Sequence, residues 1–77
     1  MLMHDTALWA MAKYLAEVDF RVRCQSGEDP PAAWAGTSQR LSEMLDATGY
    51  NLSFFAPEVT AMKRALLRPA RAAERAL

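Results

Sequence analysis

Nucleophilic catalysis needs a thiol or hydroxyl within hydrogen-bond reach of a base, and this chain of 77 residues offers few candidates. Cys24 is its single cysteine and His4 its single histidine. If the segment between them is helical, a rise of 1.5 Å per residue sets them roughly 30 Å apart, so one chain cannot bring them together. A lone cysteine also forms no internal disulfide and no thiolate metal cluster. Paired carboxylates occur at Glu17/Asp19 and Glu28/Asp29. The first two point to different sides of a helix, and Asp29, standing before Pro30, reads as a helix cap. Gly27, Gly36 and Gly49 are isolated and match no phosphate-binding fingerprint. These residues predict a chain that is not an enzyme and that holds no metal and no cofactor.

Recognition chemistry is better represented. Residues 1–57 carry four cations against seven acids, a charge of −3, whereas residues 58–77 carry five against two, a charge of +3. Arg64, Arg68, Arg71 and Arg75 recur at i, i+4, i+7 and i+11, which on a continuous helix stacks them on one face. Such a stripe fits an acidic protein groove or a phosphate backbone. The second recognition signal is a surplus of large apolar side chains. Two Trp, three Phe, two Tyr and five Met are more than three short helices easily hide. Trp9 and Phe20, together with the Phe54/Phe55 pair, are the expected exposed contacts for a partner.

Three helices must position these groups. Asp5 or Thr6 can cap the first by accepting a free backbone N–H. Leu8, Met11, Leu15, Val18 and Val22 then recur at alternating spacings of three and four, predicting a helix over 6–24 with that stripe facing the core. Trp9, Ala16 and Phe20 form a second apolar seam beside it. Lys13, Glu17, Asp19, Arg21 and Arg23 take the remaining face, with Glu17/Arg21 and Asp19/Arg23 placed as i, i+4 ion pairs. Gly27 supplies the left-handed residue that ends this helix. Asp29-Pro30 starts a second helix, over 30–48, whose expected core positions are Trp34, Leu41, Met44, Leu45 and Thr48. Within it, Ala35-Gly36-Thr37-Ser38 marks either a weak point or a place where another backbone comes close. Gly49 caps the helix, and Tyr50 to Phe55 form an aromatic connector with room for one helical turn.

A third helix starts at Pro57, with Phe55, Val59, Met62 and Leu66 as its apolar stripe. Pro69 should break or kink it, because proline lacks the N–H and crowds the carbonyl of Ala65. That leaves helices over about 6–24, 30–48 and 57–68 and a basic Ala/Arg arm over 69–77. The expected fold is all-α and a single domain over 1–77: a small three-helix bundle, or a helical hairpin with a C-terminal helical arm.

The stretch Leu41-Ser42-Glu43-Met44-Leu45-Asp46-Ala47-Thr48-Gly49-Tyr50-Asn51-Leu52-Ser53 resembles the helix-turn-helix of phage-repressor-like regulators in the spacing of its apolar and small residues. That resemblance implies a second, DNA-reading helix after the turn. The chain departs from the pattern by placing Asp46 at the turn position and by having no Arg or Lys in the would-be reading helix.

A chain this short buries only roughly 60% of its unfolded surface, so association is the natural way to complete its core. A net charge of zero removes a barrier to self-association. The expected function is a small non-catalytic protein–protein interaction module, such as an inhibitor or accessory subunit acting by occlusion or scaffolding. Its expected partners are a second copy of itself and a larger or acidic protein. The alternative is a nucleic-acid-binding protein using the arginine stripe or a degenerate helix-turn-helix at 41–55. No apolar run reaches membrane-spanning length and the N-terminus has no basic-then-apolar pattern, so no membrane partner is expected and the expected location is cytoplasmic.

Overall fold

The computed structural model describes the backbone of residues 2–76 and the side chains of residues 6–68. The fold is all-α: helix α1 spans Leu2–Gln25, helix α2 spans Pro30–Ala47, and helix α3 spans Ala56–Ala76. A single 3₁₀ turn at Leu52–Phe55 leads into α3. Among the described residues there is no strand.

Local chemistry explains each junction. α1 begins at Leu2, so Asp5 and Thr6 lie inside it and neither is its cap. Leu2 and Met3 are good helix formers, and nothing in that stretch opposes helix. Gly27 ends the helix at φ +103°. Around it the Glu28 N–H reaches the Arg23 carbonyl at 3.1 Å and the Gly27 N–H reaches that of Cys24 at 3.1 Å. This paired closure satisfies carbonyls that the helix leaves open. α2 ends the same way. Gly49 sits at φ +91°, while Tyr50 N–H bonds Leu45 and Gly49 N–H bonds Asp46, each at 3.0 Å.

Asp29 stands at the start of α2 in an extended conformation, and its carbonyl accepts from Ala33 N–H at 2.8 Å. Its side chain makes no capping bond. Pro30 and Pro31 fill the first two helical positions and have no N–H to offer, so a capping bond could come only from Ala32. Asn51 does cap the 3₁₀ turn, accepting from Phe54 N–H at 3.2 Å.

The core lies between α1 and α2, which pack as an antiparallel hairpin. α1 contributes Ala12, Ala16 and Phe20; α2 contributes Ala33, Trp34, Leu41 and Leu45, together with the buried Thr37. Ala12 and Ala16 are one helical turn apart and small, which lets the α2 backbone come close. Phe55 and Met62 close the open end of the hairpin, with Val59, Leu66 and Leu67 of α3 packed against them. Trp9 stacks on Phe55 with ring centroids 5.2 Å apart, and Phe54 meets Phe55 edge-on at 4.9 Å.

Other expectations are overturned as well. The stripe Met11, Leu15, Val18 and Val22 does not face the core; all four are exposed. The seam beside it, with Ala16 and Phe20, is the buried face instead. Thr48 is exposed, and Thr37 takes the core position on α2. Finally, α3 does not end at Pro69 but runs on to Ala76. One missing backbone bond, costing about 3 kcal/mol, sits between Ala65-Leu66-Leu67 and Ala70-Arg71-Ala72-Ala73, both composed of strong helix formers.

Candidate functional site

On a helix, successive residues lie about 100° apart, so spacings of three and four return to nearly the same side. Met11, Leu15, Val18 and Val22 therefore share one narrow face of α1, with Tyr14 at its edge. These five side chains are between 37% and 64% exposed. Their face lies roughly 130° round the helix from Ala12, Ala16 and Phe20, which are in the core. α1 is thus apolar on two faces, and the fold covers one. On the α2 side the uncovered face deepens into a groove of ≈ 300 Å³, lined by Leu15, Val18, Val22 and Met44, with Asp19 and Arg40 supplying its polar atoms.

Polar contacts fix the wall of this groove. Asp19 Oδ2 accepts from Arg23 Nε at 2.8 Å and from Thr37 Oγ1 at 2.8 Å. Arg23 also reaches Glu28 at 3.6 Å. Burial pushes the Asp19 carboxyl up, but the hydrogen bonds from Arg23 and Thr37 and the charges of Arg23 and Arg40 outweigh it and hold it below the ordinary aspartate value. The bond to Asp19 in turn raises Arg23. Gly36 explains why this arrangement fits: a Cβ built there would lie 2.6 Å from Arg23 Cζ. The small segment of α2 is thus neither weak nor covered by backbone. It makes room for a guanidinium. Among the described residues no buried side-chain polar atom lacks a partner.

The residues expected to meet a partner are distributed differently. Phe20 and Phe55 are 6% and 4% exposed, so both belong to the core and are unavailable for docking. Trp9 is half-buried because its ring is stacked on Phe55. Phe54 is 56% exposed and stands on the 3₁₀ turn against Tyr50 and Phe55. Trp9, Phe54 and Phe55 therefore form one aromatic cluster at the hairpin's open end, away from the α1 face. Arg64 and Arg68 are exposed on α3. The side chains of Arg71 and Arg75 lie outside the described residues.

Sequence reasoning missed the exposure of Met11, Leu15, Val18 and Val22 by assigning all four to the core, and did not single out Tyr14. A signal was present. A strict three–four alternation is the narrow seam of a helix pair, whereas a helix facing its own domain usually carries a wider stripe. Ala12 and Ala16, one turn apart on the other side of α1, marked the buried face by their small size.

For other chemistry the geometry offers less. Cys24 is a free, half-buried thiol at the end of α1. Among the described residues no three His, Cys, Asp or Glu side chains are grouped to hold a metal ion, and no helix is long and apolar enough to cross a membrane. In the helix-turn-helix-like stretch, the element after the turn is the four-residue 3₁₀ segment Leu52–Phe55 rather than a reading helix, and it runs directly into Ala56-Pro57-Glu58. The chain matches no family model, and comparison with curated proteins and with solved structures gives no match.

Proposed function

We propose that this chain is a non-catalytic protein–protein interaction module, of the kind that serves as an inhibitor or accessory subunit by occluding or scaffolding a partner, and that it self-associates. The observation carrying this reading is the second apolar face of α1. Met11, Leu15, Val18 and Val22 stand exposed along about three turns while a different face of the same helix, with Ala12, Ala16 and Phe20, is used by the core. Exposed apolar side chains scattered singly need no explanation, but a contiguous stripe on a rigid helix is what an interface presents. The groove beside it adds Arg40 and Asp19 as polar groups able to orient a bound helix. The lone Cys24 fits a reducing compartment, which is why the reading includes a cytoplasmic location.

Leu15→Glu with Val18→Glu tests it. Both positions are outside the core, so the helical spectrum should be retained while association with protein partners is lost. Affinity capture from host lysate, with and without nuclease treatment and with wild type against the double variant, makes the comparison. Recovery of nucleic acid alone, unaffected by the double variant, would overturn the reading.

A second reading, nucleic-acid binding, draws on one observation. α3 is a single helix across Pro69, with Arg64 and Arg68 exposed on it. Its affinity would fall steeply with salt, as phosphate contacts require.

A further inference from the structure

We infer that the exposed face of α1 is a seam for a second copy of this chain, with the two α1 helices running antiparallel. The inference rests on the protein-binding reading above and names the partner of that same face.

The spacing comes first. Leu8, Met11, Leu15, Val18 and Val22 alternate by three and four, the a/d repeat of a two-helix seam, with Leu8, Leu15 and Val22 at a and Met11 and Val18 at d. Leu8 is already half-buried against the core, and the other four are exposed. The seam has the length of two heptads and is left uncovered by the described residues of its own chain. A helix face whose repeat matches itself is complementary to its own copy, as a two-fold interface demands.

Residue types then choose the direction. Parallel pairs favour β-branched residues at a with leucine at d. This seam is the reverse at its centre, with Leu15 at a and Val18 at d. An antiparallel pair stacks a against d instead. Centred between Ala16 and Glu17, it sets Met11 against the partner's Val22 and Leu15 against the partner's Val18. Each of the four exposed residues is then covered, and the two-fold makes each contact occur twice. Sliding by one heptad would leave Val22 opposite His4 of the partner subunit, a poorer match.

The flanks agree with that register. In an antiparallel pair each flank meets its own counterpart. Tyr14 and Arg21 lie on the same flank, opposite the one α2 covers, so each Tyr14 ring comes beside the partner's Arg21 guanidinium, a cation–π arrangement. Glu17, near the two-fold axis on the outer side, is already balanced by Lys13 at 3.6 Å, so like charges do not oppose the pairing. α2 lies on the other flank and leaves the seam open. Area is sufficient too. The five exposed side chains offer on the order of 500 Å² per copy, or about 1,000 Å² across the pair, which is where specific interfaces begin. The pair is therefore expected to exchange with monomer rather than to be obligate.

Light scattering of the full chain over a concentration series tests the association. The expected result is a mass rising from 8.6 kDa toward twice that value. Leu15→Glu with Val18→Glu should hold the chain at the monomer mass with its helical spectrum unchanged. Orientation is read by crosslinking in a Cys24→Ser background. Chains carrying Met11→Cys and chains carrying Val22→Cys should form a disulfide when mixed and little when oxidised alone. Crosslinking of each variant with itself, but not on mixing, would overturn the antiparallel arrangement. A wild type that stays monomeric at high concentration would overturn self-association altogether. If that monomer nevertheless captures another protein through Leu15 and Val18, the interaction reading survives and only the second copy falls; if it captures none, both fall.

Discussion

Thr37 of α2 donates its hydroxyl proton to Asp19 of α1 at 2.8 Å, joining the two helices of the hairpin through the one buried polar side chain of the described core. The same carboxylate oxygen accepts Arg23 Nε at 2.8 Å, so one acceptor holds two donors from opposite sides of the helix contact. Apolar packing alone would let α2 slide along the small-residue face of α1. A buried directional bond has one register.

Thr37→Val keeps the shape of that side chain and removes its hydroxyl. Asp19 retains Arg23 and a partly open side, so it can recruit water in place of the lost donor. The expected loss is about 1 kcal/mol, the ordinary net contribution of one such bond. Urea unfolding should show a lower midpoint with an unchanged slope, because no surface is newly exposed in the native state.

Acid should weaken the hairpin through the same residue. The folded pKa of Asp19 is depressed, so the unfolded chain takes up this proton at higher pH than the folded one. Its contribution is therefore present above the unfolded value, about pH 4, and is lost as pH falls through the folded value. Thermal melts between pH 7 and pH 2 should show a falling midpoint below about pH 4. Asp19→Asn should be less stable at neutral pH and flatter across that acid range.

Two faces of one helix should respond differently to truncation. Phe20→Ala empties a core position and should cost about 3 kcal/mol or more, a large part of what a chain this size has. Met11→Ala, at 64% exposure, should cost within about 0.5 kcal/mol at low protein concentration, where copies are apart. Circular dichroism melts compare them directly. Equal losses would place Met11 in the core and overturn the assignment of faces.

The arginines of α3 separate the two functional readings. If α1 carries the function, Arg64→Glu with Arg68→Glu should leave association through Leu15 and Val18 within about twofold of wild type at moderate salt, because both lie on α3 and exposed charges away from that face are screened. A nucleic-acid binder would behave in the opposite way. It would lose oligonucleotide retention in the arginine variant, ignore changes at Leu15, and show an affinity that drops steeply between low and physiological salt.

The sequence by itself determined what is local. Asp29-Pro30, Gly27 and Gly49 marked where α2 starts and where α1 and α2 end, because a missing N–H and a positive φ are properties of single residues. Apolar periodicity likewise made the chain all-α. The arrangement of α1 was not local. Its apolar residues cover more than half of the helix circumference, so periodicity alone left two candidate inner faces, and hydrophobicity favoured the larger side chains of Met11, Leu15, Val18 and Val22. The tertiary structure chose the other side because Ala12 and Ala16 can be buried without bulk, Gly36 admits the Arg23 guanidinium, and Thr37 can reach Asp19. Steric fit and one hydrogen-bonded carboxylate outweighed side-chain size. What that choice left exposed is the seam on which the proposed function rests.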